Sequence, residues 1–310
     1  MDFTISPELE QLRQRVKDFV ATEILPLEAD PDSYNEYENI TLALRDKVRA
    51  KAKEAGLWAP QMPKERGGLA LPIAEQAVFY EEANRSIFGP TCFNCGAPDD
   101  GNMRCLEMVA TEDQKARWLQ PIVDGKVNSS FVMTEPHPGG GSDPGMIRTR
   151  AERHGNTWKI YGRKWFISGA AVAKHFILMA RTDDNPDEKR RHLTAFMFHA
   201  DQLGWKIVRR IGNMGPEEHG GACELEFDGL EIDDANRLME VGDGLRLTQI
   251  RLGPARLTHC MRWLGMSKRC MEIAQEYVAT REGFGIKLAD RESVQTALGD
   301  LAHQIQIGRL

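Results

Sequence analysis

The sequence predicts an α+β chain: an N-terminal helical domain, a middle β-barrel domain and a C-terminal helical bundle that is incomplete here. Three observations carry this. Apolar residues recur at helical spacing through residues 1–122. Near Val127 the texture changes to short β-rich runs. Near Gly244 helical periodicity returns and holds almost to Leu310. The expected domains are 1–122, 123–236 and 237–310, and a chain of 310 residues is long enough for such a division.

Each element has a local reason. Ser6 before Pro7 makes an N-cap and first-turn pair, and Leu9, Leu12, Val16, Phe19 and Val20 then share one helical face. Pro26 is expected to stop that helix. A second helix is expected over Thr41–Ala55 with Gly56 closing it, a third over Ile73–Asn84 and a fourth over Asp100–Val109. Thr111-Glu112-Asp113-Gln114 is a capping-box pattern opening a short helix that carries Trp118 and Leu119. The β-rich runs are Val127–Met133, Ile147–Arg153, Thr157–Tyr161, Lys164–Ile167, Phe176–Arg181, Thr194–Phe198, Trp205–Val208 and Cys223–Phe227. His154-Gly155-Asn156 reads as a hairpin turn, and Asp183–Arg191 as a solvated charged loop. Leu245–Thr280 can be one long helix, broken at most near Gly253-Pro254. A further helix starts near Glu292 and is still periodic at Leu301, Ile305 and Ile307. No Gly, Asn or Pro ends it, so the bundle is expected to continue past Leu310.

Composition narrows the function. A hydrophobic fraction of 41% and a charged fraction of 28% are ordinary for a globular protein. A net charge of −6 argues against a nucleic-acid binder. No run approaches the roughly 18 apolar residues of a membrane span. Met1-Asp2-Phe3-Thr4 opens no secretory or mitochondrial signal, which makes the cytoplasm the expected compartment. The six cysteines are Cys92, Cys95, Cys105, Cys223, Cys260 and Cys270. Cys92-Phe93-Asn94-Cys95 has redox or metal spacing, but no second pair completes a metal site, and buried or incidental thiols are expected.

The chemistry concentrates between Phe131 and Ser168. Phe131-Val132-Met133-Thr134-Glu135-Pro136 reads as an apolar strand ending in a hydroxyl, followed by His137-Pro138 and Gly139-Gly140-Gly141-Ser142-Asp143. Glycines permit positive φ and close backbone approach, so successive N–H groups can meet one anion. Lys164-Trp165-Phe166-Ile167-Ser168-Gly169 sets two aromatics against a small hydroxyl. Together the two halves suit a flat, hydrogen-bonding, phosphate-bearing cofactor.

These two segments, within an α, β, α order and followed by Arg281-Glu282-Gly283-Phe284-Gly285, resemble the acyl-CoA dehydrogenase family over essentially the whole chain. Arg251-Leu252-Gly253-Pro254-Ala255-Arg256, His259-Cys260-Met261-Arg262 and Ala97-Pro98-Asp99-Asp100-Gly101-Asn102-Met103 resemble its ten- and eleven-type branch. The resemblance implies an FAD-dependent oxidoreductase that dehydrogenates an acyl-CoA thioester at its α,β carbons, with the hydride going to flavin N5. Electrons would pass to an electron-transferring flavoprotein. It implies flavin contacts at Phe131, Met133, Thr134, Gly141, Ser142, Phe166, Ile167 and Ser168. Arg281, Gly283 and Phe284 would reach the flavin of a neighbouring subunit in a homodimer or homotetramer. Substrate contacts would fall to Ser142, Gly253 and Arg256, the last beside the CoA portion.

The three-glycine loop is longer than the family's usual Glu-Pro-Gly-Ala-Gly-Ser-Asp form. Relatives place the catalytic carboxylate either at the position of Ala255, which cannot take a proton, or late in the C-terminal domain, which here means beyond Leu310. His219 and His259 are expected to be structural. A flavin- or acyl-CoA-binding homologue without activity, and an oxygen-using oxidase of the same fold, are the alternatives. Long, branched or hydroxylated acyl groups are the expected substrates.

Overall fold

A computed structural model describes residues 4–141, 143–182, 192–215 and 220–310. The Ser6 hydroxyl accepts from Leu9 N at 3.2 Å and opens α1 (Pro7–Phe19). This helix does not stop at Pro26. It widens into a π-helical turn over Val20–Ile24 and runs on as α2 (Leu25–Glu28). The helices α3 (Leu42–Glu54), α4 (Ile73–Ala83), α5 (Gly89–Cys92) and α6 (Asp99–Val109) follow. The expected capping box at Thr111 is present and opens α7 (Glu112–Gln114). A second π turn, Lys115–Leu119, leads into α8 (Gln120–Val123), which contains Pro121. Both π turns sit one turn before a proline. Proline has no N–H and crowds the carbonyl four residues back, and a wider turn at that carbonyl relieves the clash without ending the helix.

The middle domain is an eight-stranded sheet. Its strands are β1 (Asn128–Val132), β2 (Arg150–His154), β3 (Thr157–Ser168), β4 (Ala173–Arg181), β5 (Leu193–His199), β6 (Trp205–Ile211), β7 (Ala222–Asp233) and β8 (Arg237–Leu238). Gly155-Asn156 closes the β2–β3 hairpin, with Gly155 at φ +63°. The sequence suggested two short runs where the structure has the single long β3; its ladder to β7 shifts register twice, at Ile160/Tyr161 and between Lys164 and Ile167. β1 and β2 share the slot between β3 and β4. β1 pairs with the first half of β4, and Arg150 of β2 pairs with Arg181 at the far end. The glycine-rich loop leaves the sheet where β1 gives way to β2.

Alternation sorts the side chains onto two cores. Val132, Ala151, Ile160, Phe176, Phe198 and Leu225 fill the inside of the curled sheet. Ile177, Met179, Ala195 and Met197 face outward and pack on Met103, Leu106 and Trp118 of the N-terminal helices.

The C-terminal part begins with α9 (Gly244–Thr280), an uninterrupted 37-residue helix containing Pro254. A two-stranded hairpin, β9 (Glu282–Gly283) and β10 (Ile286–Lys287), leads to α10 (Glu292–Arg309). α9 lies close against α4 because Gly265 carries no side chain: a Cβ there would sit 2.3 Å from the Glu81 carbonyl oxygen. Lys268–Glu82 (2.6 Å), Arg85–Glu272 (2.8 Å) and Arg309–Glu81 (2.7 Å) lace the three helices together. Among the described residues no helix is long and apolar enough to cross a membrane.

Candidate active site

Two segments meet beside the break between β1 and β2. Trp165 N donates to the Thr134 carbonyl at 2.9 Å. At that point β3 leaves its β7 partner and bonds instead to the chain emerging from β1. The bulge re-aims two residues, as bulges do. Phe166 takes φ +52° and is 48% exposed. Trp165 packs edge-on against it at 4.9 Å. Ser168 is exposed, while Ile167 between them is 1% exposed and packs inside the sheet. A ligand on the outer face can therefore meet Ile167 only through its backbone. Phe131 and Met133 are half-buried on the same outer side.

The brace behind this surface is an ion pair. Lys164 Nζ donates to the Met133 carbonyl and to Glu135 Oε1, both at 2.8 Å, with both side chains essentially buried. Glu135 also accepts from Arg148 N (2.7 Å) and Thr149 N (2.9 Å). Burial pushes the Lys164 ammonium down to about 8, with Glu135 opposing. Burial raises the Glu135 carboxyl, but Lys164 and the two N–H groups more than offset this and leave it below its ordinary value. The sequence quoted both residues inside its motifs and gave neither a role. Their signal was a Lys and a Glu in otherwise apolar strand ends, where an unpaired charge would be costly.

The glycines show one of the two properties expected of them. None of Gly139, Gly140 and Gly141 has positive φ, so they form no left-handed nest. They permit close approach: a Cβ on Gly139 would lie 2.3 Å from Glu135 Oε2, and one on Gly140 2.2 Å from the Asp143 carbonyl oxygen. Gly141 has ordinary contact with the Thr134 methyl, 3.7 Å from where its Cβ would be. Ser142 and His219 lie outside the described residues.

A cavity of about 430 Å³ opens beside Gly169, the residue after Ser168. Its wall is polar. Asp99, at the start of α6, accepts from Ser129 N and Ser129 Oγ (both 2.6 Å) and from Asn128 Nδ2 (2.7 Å). Burial raises its carboxyl, and the hydrogen bonds only partly oppose this. Across the cavity α9 supplies His259 and Arg262. Arginine has no acceptor, so the 3.1 Å contact from Arg262 Nη2 makes His259 Nδ1 the acceptor and leaves the ring proton on Nε2. Burial, and then the nearby Arg262, hold that imidazole below its usual range, so it is neutral near pH 7. Sequence reading treated Asp99 only as part of a branch pattern. Two acids in the first turn of an amphipathic helix look like ordinary helix-start charges, and here both are buried.

The remaining expected residues sit elsewhere. Gly253 and Arg256 are exposed on the side of α9 away from its buried stripe of Leu247, Thr248, Ala255, Thr258 and Arg262. Arg281 caps α9 through its backbone, and its side chain is exposed. Gly283 and Phe284 belong to the hairpin, with Phe284 fully exposed. Cys92 and Cys95 are buried; burial pushes the Cys92 thiol up to about 12 and the Cys95 thiol higher still. Among the described residues no cluster could hold a metal ion.

Known proteins give the frame for these features. Residues 6–126 match the acyl-CoA dehydrogenase N-terminal domain, residues 130–230 its middle domain and residues 242–310 its C-terminal domain. A probable acyl-CoA dehydrogenase, FadE2 of Mycobacterium tuberculosis, is 35% identical over 100% of this chain and 77% of its own length. Acyl-CoA dehydrogenase family member 11 of Gallus gallus is 32% identical over 96% of this chain, and the match spans 39% of that longer protein. The structure of an acyl-CoA dehydrogenase from Mycobacterium abscessus superposes with a TM-score of 0.90 at 31% identity, covering 99% of this chain and 78% of the other. From the three consecutive domain matches and these relatives it follows that the chain belongs to the acyl-CoA dehydrogenase family, on the side of its ten- and eleven-type members.

Proposed function

We propose that this protein is a flavin-dependent oxidoreductase that removes hydrogen from the α and β carbons of an acyl-CoA thioester and delivers the electrons to an electron-transferring flavoprotein. One observation carries the reading. The bulge at Trp165–Phe166 presents an exposed aromatic beside two hydroxyls, Thr134 and Ser168, whose side chains have no hydrogen-bond partner among the described residues. Free hydroxyls next to an exposed ring fit the edge and face of an isoalloxazine. FAD bound there supplies the hydride acceptor.

The chain's own residues then divide the work. Thr134, Ser168 and the backbone at Met133 and Ile167 hold the polar edge. Phe166 and Phe131 give apolar contact, and Gly141 lets the loop lie against Thr134. Ser142 serves the phosphate or thioester side. Gly253 and Arg256 take the CoA portion along the exposed side of α9. Arg281, Gly283 and Phe284 reach the flavin of a second subunit, which makes the working form a homodimer or homotetramer. The cavity beside Gly169 takes the acyl chain. Its walls offer an acceptor at Asp99 and a donor at His259 Nε2, a pair that suits an acyl group carrying a hydroxyl better than a plain alkyl chain.

The test is flavin uptake followed by an acyl-CoA panel under anaerobic conditions. The expected result is a yellow protein whose flavin is bleached by acyl-CoA thioesters, most readily hydroxylated ones, and reoxidised slowly by air. A colourless protein that takes up no FAD sinks the proposal. Rapid reoxidation by oxygen would mark an oxidase.

A further inference from the structure

We infer that Arg251 is a further binding residue of this site, holding with its two terminal nitrogens a ligand oxygen that carries negative charge. The inference rests on the flavoprotein reading above. Arg251 lies on α9, and its guanidinium stands over the ring of Phe131 at 4.3 Å, on the strand that leads into the proposed flavin seat. Its Nε donates to Asn102 Oδ1 at 2.9 Å. Asn102 Nδ2 donates to Ser129 Oγ at 2.9 Å, and Ser129 Oγ donates to Asp99 at 2.6 Å. A chain of hydrogen bonds through α6 and β1 thus fixes the plane of the guanidinium while engaging one of its nitrogens.

Room is made for it as well. A Cβ on Gly101, in α6, would lie 3.4 Å from Arg251 Cζ, tight against the group. Glycine inside a helix costs about 1 kcal/mol relative to alanine. The space it leaves is filled by the guanidinium.

What is missing is a counter-charge. Arg262, Arg104 and Arg85 each lie within ion-pair distance of a carboxylate. Arg49 has no carboxylate, but its nitrogens donate to the Thr91 carbonyl and hydroxyl and to the Gly125 carbonyl. The terminal nitrogens of Arg251 have neither a hydrogen bond nor an ion pair among the described residues. Partial burial pulls the group down to about 10, while the side chain keeps some exposed surface through which a ligand can reach it. A planar fork of N–H groups whose plane is already fixed matches an oxygen that is or becomes anionic.

Dehydrogenation creates such an oxygen in two places. One is the thioester oxygen, as the α proton leaves to a base. The other is the cofactor's ring system, as the β hydride arrives there. The experiment separates them. The FAD-loaded protein and its Arg251→Met and Arg251→Lys variants are compared by the midpoint potential of the bound flavin without substrate, and by the Kd for an acyl-CoA. If Arg251 serves the flavin, Arg251→Met loses about tenfold in preference for the reduced form, roughly 30 mV for a two-electron couple. If it serves the thioester, the potential holds and the Kd rises about tenfold. Arg251→Lys retains part of either effect. Should the methionine variant not fold, Arg251→Gln keeps a donor for Asn102, removes the charge and answers the same question. A potential within about 10 mV and a Kd within twofold of the parent protein would overturn the inference and leave Arg251 a tether. A parent protein that takes up no FAD would instead overturn the flavoprotein reading itself.

Discussion

Phe166 and Phe284 share a backbone feature and differ in everything that supports it. Both have positive φ, +52° and +55°, a region that costs a non-glycine residue on the order of 1–3 kcal/mol. Phe166 is overdetermined from within the chain. The β3 bulge, the Trp165–Thr134 bond and the buried Lys164–Glu135 pair leave it no alternative. Phe284 occupies the first loop position of the Glu282–Lys287 hairpin, before Gly285 at φ +79°. Two-residue hairpin turns with both loop residues at positive φ favour Asn-Gly. Here an aromatic takes the asparagine position and stands fully exposed, with the Arg291 guanidinium 5.8 Å from its ring centre. The strain at Phe166 is stored in the chain's own packing. Among the described residues nothing offsets the strain at Phe284, which agrees with the second-subunit role that the family resemblance suggested.

The largest expected effect tests the brace. Lys164→Met leaves Glu135 as an uncompensated buried charge and should cost about 3–5 kcal/mol in unfolding free energy. Lys164→Met combined with Glu135→Leu should recover most of that loss, because an apolar pair replaces the ion pair. A double variant no more stable than the single one would mean that the pair does not brace the seat. Acid gives a second view. The folded Glu135 carboxyl lies below its unfolded value of 4.5, so its contribution is present above 4.5 and is lost as pH falls through the folded value. Lys164 works in the other sense. Its folded value of about 8 lies under the unfolded 10.5, so its burial costs stability below 8, and that cost fades as pH rises toward 10.5. In Lys164→Met the acid-side loss should shrink, since the main group holding Glu135 down is gone. Unfolding midpoints measured across pH would show both effects.

Much of this was legible in the sequence. The three-part order followed from periodicity alone, and the meeting of the Thr134 and Phe166 segments was expected from their motifs. The misses have physical causes. Pro26 did not end its helix, because a π turn absorbs the clash, and no residue pattern marks such a turn. Of the two properties expected of the three glycines, positive φ is absent, and close approach is present at Gly139 beside Glu135 and Gly140 beside Asp143. Asp99, Arg251 and Lys164 escaped notice because charged residues in sequence look alike whether solvated or buried. Only tertiary packing shows that Asp99 and Lys164 are enclosed and what Arg251 faces.

A middle-sized effect tests the surface the brace supports. Phe166→Ala removes a half-exposed side chain, so stability should move by no more than about 0.5 kcal/mol. FAD affinity should fall about tenfold, or 1.4 kcal/mol, if the ring is a contact face. Fluorescence titration of the apoprotein with FAD reads this directly. Unchanged affinity would turn Phe166 into a by-product of the bulge and shift the reading toward the two hydroxyls alone.

The smallest effect is the sharpest for the comparison, because its sign differs from the others. Phe284→Asn places the favoured residue in the hairpin turn and should stabilise the isolated chain by about 0.5–1 kcal/mol. The same change should weaken subunit pairing and, through Arg281 beside it, FAD retention. Sedimentation and thermal unfolding on one sample would report both. A gain in stability with loss of assembly means the aromatic is strained for a partner's benefit. A loss of stability would mean that Phe284 is held by contacts within its own chain, and the contrast with Phe166 would disappear.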